Sequence, residues 1–220
     1  MKTFLIIVHI FVGKGIVMKK QKKPICMILL IVANIGVFFW LSLSGQTEDA
    51  LYMYQNGAMY VPSFIEGEEY FRIFSSMFMH FGFDHLINNM LTLLVVGRRL
   101  ESAAGHIRFL IIYIISGIGG NALSIVWELY TENYVISAGA SGAIFGLTGA
   151  LLTLTILNRG YVAGVTRGEM LIIIGISLYN GFANPGVNNA AHIGGLITGF
   201  LITFLLCPKG HSKRGSNVRF

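Results

Sequence analysis

The placement of lysine and arginine restricts this chain more than any other feature. Apolar stretches near Cys26–Leu43, His85–Val96, Phe109–Trp127, Ser141–Leu157, Met170–Phe182 and Ala191–Leu206 alternate with polar connections. Lys14, Lys19, Lys20, Lys22 and Lys23 precede the first stretch. Arg98, Arg99 and Arg108 separate the second from the third, and Arg159 and Arg167 the fourth from the fifth. Lys209, Lys213, Arg214 and Arg219 follow the sixth. If each stretch is a membrane span, all of these cations fall on one side. The other side then holds Arg72 alone, together with Glu48, Asp49, Glu66, Glu68, Glu69, Asp84, Glu128 and Glu132. Cytoplasmic connections carry the excess of Lys and Arg, so both termini are expected in the cytoplasm. Five or seven spans would scatter the charges. The expected fold is an all-α polytopic membrane protein, a six-helix bundle with a long first extracytoplasmic loop.

Composition excludes the soluble alternative. Of 220 residues, 54% are hydrophobic and only 12% charged, with a mean hydropathy of +0.68. A soluble domain carries about 25% charged residues. The 27 glycines fit helices packed closely in lipid. A net charge of +6 follows from the sidedness of the cations and does not require a nucleic-acid partner. The expected partner surface is the lipid bilayer, in the plasma membrane. Cys26 and Cys207 both lie in apolar segments and define neither a disulfide framework nor a zinc site, so they read as core or lipid-facing residues. No cofactor is expected.

Phe4 to Val12 is apolar but far short of the about 20 residues that span a bilayer. No small-residue cleavage site follows it. Met18 then opens Met-Lys-Lys-Gln-Lys-Lys-Pro, which reads as the natural start of a bacterial membrane protein, with residues 1–17 an over-extended start. The expected organisation is a cytoplasmic segment over 1–23, a six-span domain over 24–207 and a basic cytoplasmic tail over 208–220. Ser44–Asp84, roughly 40 residues, exceeds the length of an ordinary connection. Its aromatics Tyr52, Tyr54, Tyr60, Phe64, Tyr70, Phe71 and Phe74 point to an ordered loop at the membrane interface.

Topology brings polar residues together. The second, fourth and sixth stretches all start on the outer side. His80, His85 and Asn89 lie in the approach and first turns of the second, Ser141 opens the fourth, and His192 lies in the first turn of the sixth. Ser141 sits in Gly139-Ala140-Ser141-Gly142, where it reads either as a helix cap or as a nucleophile with room for a substrate carbonyl. Histidine inside a span points to function by default, against the alternative of a packing hydrogen bond. His192, Gly195 and Gly199 share one helix face, and Gly142, Gly146 and Gly149 form a matching face. Close approach of these faces would bring the Ser141 hydroxyl to the His192 ring, with Phe145 one turn below. No Asp or Glu lies near either residue in sequence, so a dyad is the simpler reading than a triad. His85 and Asn89, spaced i, i+4, offer N–H donors for an oxyanion, as does the first-turn Ser141 N–H. A zinc site on His80, His85 and His192 is the competing reading; it lacks carboxylate neighbours other than Asp84.

These residues resemble the rhomboid family of intramembrane serine proteases. The matching motifs are Gly139-x-Ser141-Gly142, His85-x-x-x-Asn89 and Ala191-His192-x-x-Gly195-x-x-x-Gly199, with His80-Phe81 ahead of the pair and Gly97-x-x-Leu100-Glu101 after it. Their order matches across roughly residues 20–207. The resemblance implies a rhomboid-like six-span bundle that hydrolyses peptide bonds in or near transmembrane segments of other proteins. It implies Ser141 and His192 as the catalytic pair, His85, Asn89 and the Ser141 N–H as oxyanion donors, and His80, Arg72, Glu101, Phe145, Gly195 and Gly199 as structural support. No metal is implied. Departures are Phe71-Arg72 where Trp-Arg is common, Asn188 where Asp is frequent, and Phe145 where Tyr also occurs. None falls on the pair. A non-catalytic scaffold of the same fold and a transporter remain the rival classes; the intact polar set argues against the first. The lack of an internal repeat argues against the second.

Overall fold

The computed structural model describes residues 23–207. The stretch read as an over-extended start and the basic tail lie outside the described residues. Helix α1 spans Ile25–Ser44. Three short helices follow: α2 Ala50–Gln55, α3 Val61–Ile65, and α4 Arg72–Ser75, which runs into a 3-10 turn at Ser76–Phe78. Then come α5 Gly82–Ala104, α6 His106–Thr131 and α7 Ser141–Leu157. A two-residue hairpin of β1 Tyr161–Val162 and β2 Val165–Thr166 pairs Tyr161 with Thr166. Helices α8 Arg167–Ala183 and α9 Asn189–Leu206 complete the described chain. Helices α1, α6 and α9 are long and apolar enough to cross a membrane, and α7 is a shorter apolar helix.

Helices overrun the apolar stretches where polar residues are used as caps. Helix α5 begins before His85 and continues past Val96 through Arg98, Arg99 and Glu101. Glu101 is 2% exposed because its carboxylate serves the start of α1, accepting Cys26 N–H at 2.9 Å and Met27 N–H at 2.7 Å. The four first N–H groups of a helix lack partners within it, and a carboxylate is the strongest acceptor for them. Gly105, at φ +88°, turns the chain into α6. Helix α8 starts at Arg167 because Thr166 and Glu169 form a reciprocal capping box. Asn188 caps α9 by accepting Ala191 N–H at 3.0 Å.

Helix α7 is the centre: 12 of its 17 residues are buried. Its partners α6 and α9 approach until backbones touch. A Cβ on Gly195 would land on the Gly142 carbonyl oxygen, and one on Gly199 on that of Gly146. The two small-residue faces therefore meet. On the third side, a Cβ on Gly120 of α6 would come within 2.7 Å of the Ala191 carbonyl. In lipid the driving force is close contact, which glycine maximises.

The segment between α1 and α5 is tied down by Arg72, which is 3% exposed. Its guanidinium donates to Glu69 Oε2 at 2.6 Å and to the Tyr54 and Ala58 carbonyls at 2.7 Å each, and stacks over the Tyr54 ring at 4.4 Å. Met59 and Ser137 exchange backbone hydrogen bonds of 2.8 and 2.9 Å, and Gly139 N–H donates to the Ser76 carbonyl at 2.9 Å. This segment thus fixes the strand of chain that leads into α7. Tyr70, Phe71 and Phe74 stay exposed on it.

Candidate active site

Ser141 is the first residue of α7, and His192 lies in the first turn of α9. With the glycine faces in contact, Ser141 Oγ lies 2.9 Å from His192 Nε2. The imidazole stacks on Phe145, with ring centroids 4.2 Å apart and planes 15° from parallel. Nδ1 of His192 is buried and has no hydrogen-bond partner among the described residues. The ring is therefore oriented by stacking and by Ser141, without a carboxylate on its far nitrogen.

His85 also borders the stretch that leads into Ser141. Gly139, at φ +147°, passes so close that a Cβ there would sit 2.9 Å from His85 Cε1, 3.0 Å from Nε2 and 3.6 Å from Ser141 Oγ. A side chain at residue 139 would crowd this ring edge. His80 is fully buried and meets His85 edge to face at 5.2 Å, with its Nε2 3.5 Å from Ala140 N. Burial, and after it the neighbouring His85 ring, push the His80 imidazole down to about 3, so it stays neutral. One turn below His85, Asn89 is buried with Nδ2 donating to nothing among the described residues. A cavity opens beside Ser141, lined by Met77, Asn121, Asn188 and the small residues Gly117, Ala138, Gly139, Gly142, Ala143 and Ala191.

Ser141, His192, Phe145, His85 and His80 thus gather at one end of the bundle, with Gly195 and Gly199 setting the approach. Arg72 does not join them; it secures the loop. Glu101 lies 16 residues beyond His85 on α5, about 24 Å away at 1.5 Å per residue. Among the described residues, the one group of three or more metal-ligating side chains is Cys26, Glu101 and His106, not the three histidines.

A further polar chain runs behind the site. Asn188 Nδ2 donates to Ser124 Oγ at 2.6 Å, Ser124 donates to Glu128 Oε1 at 2.9 Å, and Glu128 Oε2 accepts Val135 N–H at 3.1 Å. Glu128, 4% exposed, so joins the cap of α9 to the connection that enters α7. Asn121 Nδ2 donates to the Ile73 carbonyl at 2.8 Å and to Ser76 Oγ at 3.0 Å, linking the cavity wall to the first loop. Sequence reading placed Glu128 among outer-side charges. The i, i+4 spacing of Ser124 and Glu128 was the available signal that they act together.

Comparison with known proteins decides the family. The profile of the Rhomboid domain matches residues 67–209. The chain belongs to the rhomboid family. The rhomboid protease GluP of Bacillus subtilis is 38% identical over 194 residues, which cover 88% of this chain and 36% of that protein. RHOMBOID-like protein 4 of Arabidopsis thaliana is 41% identical over 157 residues, 70% of this chain and 39% of that one. The putative rhomboid protease YdcA of Bacillus subtilis is 37% identical over 142 residues, 64% of this chain and 69% of that one. The chain thus spans well under half the length of the first two relatives. The rhomboid-domain match takes in Arg72, the His85 and Asn89 pair, Ser141 and His192.

Proposed function

We propose that this rhomboid protein is an intramembrane serine protease that cuts transmembrane or membrane-bound proteins near the outer ends of their spans. The carrying observation is the 2.9 Å contact between Ser141 Oγ and His192 Nε2, with the ring held on Phe145. Serine needs an adjacent base, and neutral imidazole is one. Ser141 O–H donates to His192 Nε2. As Oγ bonds to the substrate carbonyl carbon, the proton passes to Nε2. The oxyanion is met by the His85 ring N–H, the Asn89 Nδ2–H and the Ser141 backbone N–H. Imidazolium then gives its proton to the leaving amine. Water attacks the acyl-enzyme with His192 again as base, releasing the second product and restoring Ser141. Each donor on the oxyanion is worth roughly 10²–10³ in kcat.

In this reading six spans, α1 and α5 to α9, form one domain over residues 24–207, with both termini in the cytoplasm of a bacterial cell and the domain in its plasma membrane. The segments 1–23 and 208–220 flank it. The small-residue cavity at Ser141 favours a small side chain such as Ala on the acyl side of the cut bond. A helix in lipid has its carbonyls paired internally, so a substrate must unwind before Ser141 can reach one. Gly or Pro near the outer end of a span eases this. The connection over residues 184–188, between α8 and α9, is the cap under which water reaches the site.

The test is mass spectrometry of cleaved products from membranes carrying the wild-type chain or Ser141→Ala. Products with new termini in outer ends of spans, present only with the wild type, are expected. An identical product set from both would remove Ser141 from the chemistry.

A further inference from the structure

Three side chains of metal-binding type meet at the end of the bundle opposite Ser141. Cys26 comes from the first turn of α1, Glu101 from the last turn of α5, and His106 is the first residue of α6. Their potential ligand atoms, one thiol sulfur, one carboxylate oxygen and one ring nitrogen, all lie within 4.8 Å of one another. None of the three touches the proposed catalytic residues, and the resemblance assigned Glu101 a supporting role only. We propose that Cys26, Glu101 and His106 form a zinc site that ties the start of α1, the end of α5 and the start of α6 together.

The donor set selects the ion. One thiolate, one imidazole and one carboxylate, with water as fourth ligand, suit tetrahedral Zn²⁺. A hard ion such as Mg²⁺ prefers oxygen donors, and the divalent series places zinc above manganese and iron at an N/O/S site. Binding draws the three ligand atoms, now within 4.8 Å of one another, to zinc-bonding distance and moves the nitrogen and oxygen apart. His106 Nδ1 lies 2.5 Å from Glu101 Oε1. Tetrahedral zinc with bonds of about 2.0–2.2 Å separates N and O by about 3.3 Å. His106 therefore backs away by about 0.8 Å, a small ring movement at a helix start where its side chain is 33% exposed. Glu101 keeps its role on α1, because each carboxylate oxygen has two lone pairs and the Cys26 and Met27 N–H groups take one apiece. Binding releases the Cys26 thiol proton to solvent; His106 binds through Nδ1 as the Nε2–H tautomer, so a neutral ring moves its proton from Nδ1 to Nε2 and an imidazolium releases one proton. Three protein ligands leave the fourth position to water; the bound ion stabilises the fold by mass action, and peptide hydrolysis at the far end of α5 does not use it.

The experiment uses the detergent-purified, metal-stripped full chain and reads metal binding, independent of proteolysis. Cobalt(II) should bind at one equivalent, giving a thiolate-to-cobalt charge-transfer band and the intense visible bands of tetrahedral cobalt, both abolished by zinc. The thermal midpoint should rise with equimolar Zn²⁺. Cys26→Ser, which keeps a hydrogen-bonding group beside Glu101, should fold as the wild type does, lose the charge-transfer band and lose the zinc-dependent rise. His106→Gln should weaken binding at least tenfold. A cobalt spectrum without the thiolate band, an equal zinc response in Cys26→Ser, or no response in the wild type would each overturn the site.

Discussion

At one end of α5, Glu101 accepts two backbone N–H groups and faces His106, so a buried carboxylate has a partner on every side. At the other end, Asn89 Nδ2 and His192 Nδ1 are buried without partners among the described residues. Both clusters are polar groups inside an apolar bundle. The first is hydrogen-bonded and joins helices. The second leaves donors unspent. An unpaired buried donor costs about 1–3 kcal/mol, and a catalytic role is one reason a protein keeps such a group. Under the proposed function the two ends should respond to mutation in separate quantities: stability at the Glu101 end, rate at the Ser141 end.

The largest break comes from the proposed pair. Ser141→Ala and His192→Ala should each reduce cleavage of a transmembrane reporter to background, by at least about 10⁴-fold. Their unfolding midpoints in detergent should match the wild type. Turnover retained in either variant would take that residue out of the chemistry, and a shared loss of stability would erase the contrast between the ends.

Asn89→Ala should lower kcat by roughly 10²–10³-fold with little change in KM if Asn89 is the proposed oxyanion donor, which acts in the transition state. Its stability should be unchanged or raised, because an unspent donor is removed. An unaltered kcat combined with a lower midpoint would make Asn89 a packing residue and place it with Glu101 in kind.

Glu101→Gln should do the reverse. Weakening the acceptor for Cys26 N–H and Met27 N–H should cost about 1–3 kcal/mol in equilibrium unfolding, while kcat of the folded fraction stays at the wild-type value. A fall in kcat per folded molecule would show that the two ends are coupled through α5.

The smallest effect is expected at Asn188. Asn188→Asp keeps the acceptor for Ala191 N–H and loses the donor to Ser124. One hydrogen bond is worth about 1 kcal/mol, so kcat/KM should fall by less than about tenfold. Steady-state kinetics beside Ser124→Ala will show whether the two substitutions act through one bond: the double variant should then be no worse than the single ones.

Much of this contrast was legible in the chain itself. Hydropathy marked each long helix, and helical spacing put Gly195 and Gly199 on the face of His192, from which its meeting with Ser141 followed. Phe145 was placed one turn below Ser141, and in the structure the His192 ring stacks on it. Helix ends were less legible: Arg98, Arg99 and Glu101 lower the hydropathy without breaking α5, because Glu101 is spent on the N-terminus of α1. Contacts between distant segments left no periodic trace. Cys26 with Glu101, and Asn188 with Ser124, are separated by 75 and 64 residues, and only packing brings them together. Cys26 in isolation reads as an apolar-segment thiol; only packing sets it beside Glu101 and His106.

The most direct measurement of the central claim is site mapping with a fluorophosphonate probe, which reacts only with a serine that an adjacent base activates. The folded wild-type chain should gain one adduct, mapped by peptide mass spectrometry to Ser141. Labelling should vanish in Ser141→Ala, fall to background in His192→Ala and persist in Glu101→Gln and Cys26→Ser. An adduct on a different residue, or equal labelling of His192→Ala and the wild type, would contradict the Ser141–His192 pair.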